Sequence, residues 1–207
     1  MSIKYLSDIG LESFISLDVE TTGLNFYKDK IIEIAACKYI NGKLDSTFTK
    51  LVNPNQNLNP FIEDLTGIKS SDLKNKPKFN EISDMFIDFI DGYPIVGHNI
   101  MFDLKFINQA LGDKYNILKN NYICDTYYLS RIFLFYSDSF KLTSLCDTFN
   151  IDIDKSHRAT DDAINSAKLF LRILNIIDNV DIHILSKLNI CSRNVEIINK
   201  ILLNNIL

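Results

Sequence analysis

Asp18-Val19-Glu20 closes the apolar run Phe14-Ile15-Ser16-Leu17, and two carboxylates at that spacing have a specific chemical consequence. In a strand alternate residues share a face, so both acids point the same way, about 6 to 7 Å apart along the chain at ~3.3 Å per residue. Like charges at the end of a buried strand repel unless something positive compensates them, and a hard divalent ion is the usual solution. A solvated strand end is the plain alternative for an isolated Asp-x-Glu. The next residues, Thr21-Thr22-Gly23, weigh against it, because they supply hydroxyls and a glycine at a tight turn, where backbone N–H groups can approach a phosphate.

Two further elements place acids at helix starts. In His98-Asn99-Ile100-Met101-Phe102-Asp103 a short strand bounded by Pro94 gives way to a helix, and Asp103 falls in its first turns. By itself such an Asp is more often a capping or dipole residue, and His98 reads as a buried, hydrogen-bonded histidine. In His157-Arg158-Ala159-Thr160-Asp161-Asp162 the histidine precedes a helix and Asp162 lies one turn inside it, so one peptide presents a base and a metal ligand together. Each element is commonplace alone; three in one chain are not.

With these residues in view the chain resembles the DEDD exonucleases of the ribonuclease H-like fold, in the subgroup whose third motif uses histidine. The resemblance rests on Asp18, Glu20 and Thr21-Thr22-Gly23, then Asn99 and Asp103, then His157 with Asp162. Five fixed positions in Asp-x-Glu-Thr-Thr-Gly recur by chance about once in a few million starts, at one in ~20 per position. Ile31 to Ala35, Leu65-Thr66-Gly67-Ile68, Asp125-Thr126 and Leu142 to Leu145 are similar to landmarks of the proofreading exonuclease of bacterial DNA polymerase III, and the likeness spans residues 12 to about 174. It implies two Mg²⁺ or Mn²⁺ ions held by Asp18, Glu20, Asp103 and Asp162, with His157 as the general base. Asp161 is the rival for Asp162, but the family places its acid five residues after the histidine. In the tyrosine subgroup a Tyr stands four residues before that acid, where this chain has Arg158. The resemblance further implies that Thr21, Thr22, Gly23, Leu24 and Asn99 touch the terminal nucleotide, Leu24 by wedging against its base, with Thr66 a weaker candidate for the same pocket.

The elements that must position these groups are legible from periodicity. Phe14 to Leu17, Lys30 to Cys37 and Leu44 to Val52 are strand-like, and Asn41-Gly42 makes a hairpin turn between the last two. Phe79, Ile82, Met85, Phe86, Phe89 and Ile90 recur at helical spacing. Tyr93 to Val96 is a short strand, and Phe102, Phe106, Ile107 and Ala110 mark a helix that Gly112 ends. Ile123 to Asp125 reads as a strand entering a helix through Leu134, Leu142 to Phe149 as an amphipathic turn or two, and Ala159 to Leu174 as the longest helix of the set. Strands followed by alternating helix and strand make an α/β domain. With the resemblance, the expected fold is a ribonuclease H-like mixed sheet, three antiparallel strands then parallel ones, flanked by helices. The exonuclease domain is expected over residues 1–175. Residues 176–207 form a helical C-terminal extension whose Val195, Ile198, Ile201, Leu202 and Ile206 line one face.

Composition sets the outer bounds. Hydrophobic residues make up 46% of the 207 and charged residues 23%, ordinary globular usage for one domain. No apolar run approaches the ~18 to 20 residues that cross a bilayer, which predicts a cytoplasmic protein with no membrane contact. Cys37, Cys124, Cys146 and Cys191 are widely spaced and read as buried thiols. A formal charge of −4 speaks against nucleic acid until the clustered acids are given two divalent cations, which bring it to zero. Lys69, Lys74, Lys76 and Lys78 read as a solvated loop rather than a backbone track. The expected activity is release of nucleoside monophosphates from a single-stranded DNA 3′ end in proofreading or repair, beside a separate DNA polymerase subunit. The alternatives are RNA as substrate and a catalytically silent module that binds a polymerase.

Overall fold

The computed structural model describes residues 11–152, 158–177 and 179–180. Its centre is a sheet whose first three strands, β1 (Ser13–Thr21), β2 (Ile31–Ile40) and β3 (Lys43–Leu51), run antiparallel. Asn41 and Gly42 close the β2–β3 hairpin with φ of 50° and 75°, the pair of left-handed conformations that a two-residue turn with the twist of its strands requires. Helices α1 (Pro60–Thr66), α2 (Ser70–Leu73) and α3 (Phe79–Ile90) lead to β4 (Ile95–Gly97). Then come α4 (Met101–Leu111), the single turn α5 (Ile117–Asn120), β5 (Ile123–Asp125), α6 (Thr126–Phe133), α7 (Leu142–Thr148) and α8 (Ala159–Ile177).

The strand order is β3-β2-β1-β4-β5, with β4 and β5 parallel to β1. The expected mixed α/β sheet is therefore the observed one. Because β1, β4 and β5 run the same way, their carboxyl ends share one edge of the sheet, the edge where open α/β sheets bind ligands.

Strand alternation splits the core in two. Ile15, Leu17 and Val19 of β1 pack with Phe48 and with Phe86, Ile90, Leu104 and Ile107 of α3 and α4. Phe14, on the opposite face, packs with Cys37 and Tyr39 of β2 and with Ala163, Ala167 and Phe170 of α8. Ser16, Asp18 and Glu20 follow Phe14 at period two, so they face α8.

Among the described residues no helix is long and apolar enough to cross a membrane. Cys37, Cys124 and Cys146 are buried, as read from the sequence, while Cys191 lies outside the described residues. Helix α8 runs three residues past its expected end, so the boundary drawn at 175 falls inside its last turn. The helix expected around Val195 to Ile206 lies outside the described residues.

Candidate active site

The site begins where β1 outruns its neighbour. Strand β4 is only three residues long and pairs with β1 at Ile15 and Ser16, so among the described residues the β1 backbone beyond it has no strand partner on that side. The N–H of Val19 donates instead to the Asp103 carboxylate, at 3.0 Å. A side chain from the first turn of α4 thus completes the sheet, and Asp103 is buried beside the Asp18-x-Glu20 pair. A register shift between Glu20 and Thr21 marks the end of regular pairing with β2. Such bulges are common beside functional groups, because they re-aim a side chain.

Helix α4 starts there because of a tight link after β4. Gly97 has Ile100 packed so closely that any side chain on it would collide with that residue. Asn99 follows with φ of 56°, and its N–H donates to Asp125 at the end of β5, at 2.9 Å. His98 is half-buried. Its Nε2 donates to the Phe140 carbonyl at 2.9 Å, since a carbonyl can only accept, and its Nδ1 meets the Thr126 hydroxyl at 2.9 Å. Burial lowers its pKa, and both ring nitrogens have partners, in keeping with the hydrogen-bonded histidine read from the sequence.

Asp162 arrives from the far side, and the contacts that bring it were not anticipated. Glu33 stands directly across the ladder from Glu20, a like-charged pair that would be destabilising unless one member were neutralised. Arg158 does so by forking onto Glu33, with Nε at 3.1 and 3.2 Å from the two carboxylate oxygens and Nη2 at 2.5 Å. The same carboxylate accepts the Ala159 N–H at 3.1 Å, which caps α8 from another element of the fold. Ser16 donates to the Ala163 carbonyl at 2.6 Å, and Thr49 bonds Thr160 at 2.9 Å. Asp162 therefore sits between residues that are each tied to the sheet. The signal for Glu33 in the sequence was a lone acid inside the apolar run Ile31 to Ala35.

The outcome is a trio. One carboxylate oxygen from each of Asp18, Glu20 and Asp162 lies within 4.8 Å of the others. Asp161, the rival, is not among them. Asp103 stands beside the trio with one oxygen committed to Val19. Hard oxygen donors converging from a strand and a helix suit a divalent ion such as Mg²⁺ or Mn²⁺.

The electrostatics agree with that donor set. Burial first, and then the charges of Asp103, Asp162, Glu20 and Glu33, raise Asp18 well above the ordinary carboxylate range. Glu20 is pushed up to about 8 by burial and by Asp162, Glu33 and Asp103, against an opposing pull from Arg158. Asp103 is pushed up to about 7, chiefly by burial, although the Val19 N–H draws it down. Left alone the cluster takes up protons, and a cation relieves the same repulsion.

The residues expected to touch a substrate divide. Leu24 projects from the β1–β2 turn, 84% exposed, and Asn99 is exposed at the start of α4. Gly23 leaves room for the Asp29 carboxylate, which lies 2.6 Å from where a Cβ would be. The Thr21 hydroxyl donates to the Gly23 carbonyl at 2.6 Å, and that of Thr22 donates to Asp29 at 3.1 Å. Both hydroxyls shape the turn. Thr66 is only 2% exposed, and its hydroxyl donates to the Ile62 carbonyl and accepts the Ile68 N–H. It holds the end of α1 and is not brought to a binding surface. His157 lies outside the described residues. Lys69, Lys74, Lys76 and Lys78 are all exposed, and Lys69 pairs with Glu63 and Asp64.

The chain is similar to known proteins in sequence and in fold. The family model RNase_T, described as Exonuclease, matches residues 15–170. A PolC-type DNA polymerase III from Caldanaerobacter subterraneus subsp. tengcongensis is 36% identical over 184 residues, 88% of this chain and 13% of that one. A 3′-5′ exonuclease DinG from Bacillus subtilis is 38% identical over 164 residues, 79% of this chain and 18% of that one. The chain thus spans less than a fifth of either relative. Exonuclease X in complex with 5′ overhanging duplex DNA aligns at a TM-score of 0.59 and 24% identity, covering 79% of this chain and 90% of that one. The nuclease domain of 3′hExo, a DEDDh family member bound to rAMP, aligns at 0.61 and 22%, covering 79% and 92%. A family match that runs from the start of β1 into α8, and so takes in Asp18, Glu20, Asp103 and Asp162, makes this chain a member of the exonuclease family.

Proposed function

We propose that the chain is a 3′→5′ exonuclease that hydrolyses the terminal phosphodiester of a single-stranded DNA end and releases nucleoside monophosphates. The observation that carries the reading is the convergence of Asp18, Glu20 and Asp162 within 4.8 Å. Relatives named for DNA polymerase III and for a 3′-5′ exonuclease, each above a third identical, support DNA as substrate and the 3′ end as its polarity.

Asp18, Glu20 and Asp162 hold divalent cations, and Asp103 completes the acidic set beside them. Two such ions, when bound, stabilise charge on the attacking and leaving oxygens of the displacement. The protein supplies the rest. Asp103 joins the start of α4 to Val19, which fixes the distance between the second motif and the strand end. Glu33 and Arg158 hold the start of α8, and with it Asp162. His157 takes the proton from the attacking water, a role supported by its place five residues before Asp162 and suited to an unperturbed pKa of ~6.5. Leu24, apolar, exposed and four residues after Glu20, wedges against the terminal base without reading its identity. The backbone of Thr21, Thr22 and Gly23 and the side chain of Asn99 line the same approach.

The likeness spans residues 15–170, which supports residues 1–175 as the exonuclease domain and leaves 176–207 as an extension. A partnership with a polymerase is supported by the PolC relative, in which the matching segment belongs to a DNA polymerase.

Incubating the chain with 5′-labelled DNA and RNA oligomers, with Mg²⁺ or with EDTA, tests the reading. A ladder of shortened DNA products that depends on Mg²⁺ is expected. A ladder from RNA alone reassigns the substrate, and no ladder from either removes the reading.

A further inference from the structure

The sheet edge that carries the carboxylates continues, two strands over, into a surface that the chemistry above leaves unused. Strand β5 ends at Asp125, and α6 starts at the next residue. By the ladder register Asp125 is level with Leu17, so that start lies ~10 Å across the sheet from β1 beside Asp18, at ~4.8 Å per strand, while β1 continues beyond it to Thr21. Helix α6 then carries the chain ~12 Å outwards over its 8 residues, at 1.5 Å each. It packs on the α8 side of the sheet, the side that Asp18 and Glu20 face.

This strip is aromatic and cationic. Tyr127, Arg131 and, just beyond the helix, Phe135 are spaced four residues apart. The Arg131 guanidinium lies 5.8 Å from the centroid of the Tyr127 ring and 5.9 Å from that of Phe140. Phe135 and Tyr136 make an edge-to-face pair with centroids 5.8 Å apart, yet they remain 77% and 63% exposed. Tyr128 is exposed as well. Rings left in water at this density mark an interaction surface. Arg131 and Lys141 are exposed cations set among these rings, with Asp138 between them in sequence and Asp125 and Asp147 at the two ends of the segment. Exposed rings with single cations between them suit single-stranded nucleic acid, because every base has a π-face and every phosphate a negative charge.

We propose that α6 and the segment after it form a stacking platform for the strand upstream of the terminal nucleotide. Phe135, Tyr136 and Tyr128 take bases, and Arg131 and Lys141 take phosphates. The placement rests on the exonuclease reading: with the 3′ end at Asp18, Glu20 and Asp162, the next few nucleotides cross the ends of β4 and β5 and reach α6.

The test compares a single-stranded decamer with a dinucleotide as substrates of the full chain, using the double variant Phe135→Ala, Tyr136→Ala. Each lost stack weakens binding by about tenfold. The decamer KM is expected to rise at least that far with kcat unchanged, while dinucleotide turnover stays as it was. The exchange Phe135→Tyr, Tyr136→Phe, which keeps both rings, is expected to restore the decamer KM. An unchanged decamer KM overturns the proposal and leaves the surface to a protein partner; an equal loss on both substrates also overturns it, as damage to the site itself. Fluorescence anisotropy of the labelled decamer in Ca²⁺ separates this proposal from the reading it rests on. Ring-dependent binding without hydrolysis in Mg²⁺ sustains the platform and defeats the exonuclease, and ring-independent binding with hydrolysis does the reverse.

Discussion

Asp18 and Glu20 on one side, and Asp162 on the other, reach the same few ångströms by different routes. The β1 pair is set by a local rule: residues two apart in a strand share a face, and the strand is clamped between β2 and the core. Asp162 depends on residues far away in the chain. Glu33, on β2, receives the Arg158 fork and the Ala159 N–H, and Ser16 and Thr49 tie down the rest of the first turn of α8. The β1 half of the site is preorganised by secondary structure and the α8 half by tertiary contacts. The second half is therefore the one that can be loosened without removing a ligand.

Substitutions sharpen this contrast. The largest effect belongs to Asp18→Asn, which removes a donor from the rigid half. Losing several kcal/mol of charge stabilisation lowers turnover by ~10³-fold or more, measured on a 5′-labelled single strand. Turnover close to that of the parent would break the shared-cation account. Next comes His157→Ala, expected to lower kcat by ~10² to 10⁴-fold while metal affinity, read by calorimetry, is kept. A parallel loss of metal affinity would make the histidine a ligand or a structural residue.

Glu33→Gln acts on the other half alone. It keeps the shape of the side chain but removes the charge that Arg158 and the start of α8 require, so metal affinity falls by ~10 to 100-fold although no ligand is touched. Thermal denaturation should also show a loss of about 1 kcal/mol, because the charge left unpaired, on Arg158, is 43% exposed and reaches water. Unchanged metal affinity would show that α8 holds Asp162 without this pair.

The smallest effect is one of pH. Glu20 at about 8 and Asp103 at about 7 are raised above their ordinary values of 4.5 and 3.8, so the folded metal-free protein holds protons that the unfolded chain has released. Their contribution to stability is full below about pH 4 and is lost as pH rises through about 7 to 8. Metal must displace those protons, so its binding strengthens over the same window. The rise in Tm on adding Mg²⁺ should therefore grow from pH 5.5 to pH 8.5, and a constant increment would mean that these carboxylates do not hold the ion.

The same contrast explains what the sequence could reveal. Strand alternation makes Asp18-x-Glu20 readable as a pair, and hydrophobic period makes α3, α4 and α8 readable as helices that deliver Asp103 and Asp162. Glu33 and Arg158 carried no such pattern, because their meaning lies in a contact 125 residues apart. Helices α1 and α2 span seven and four residues and are too short to show a period; what defines α1 is Asn59 accepting from the Phe61 N–H and Gly67 in the left-handed region. Thr66 read as a binding residue because it sits in a family landmark, yet burial behind α1 gives it a structural task. Asp103 read as a ligand and proves also to be a backbone partner of β1: the sequence shows that β4 is short, but not that the Val19 N–H is thereby left to a side chain of α4.

Titration of the full chain with Mn²⁺ at pH 8, followed by electron paramagnetic resonance of the free ion, tests the joint site directly. The account predicts binding by the parent protein and its loss in both Asp18→Asn and Asp162→Asn. An Asp162→Asn protein that binds Mn²⁺ as tightly as the parent would contradict it.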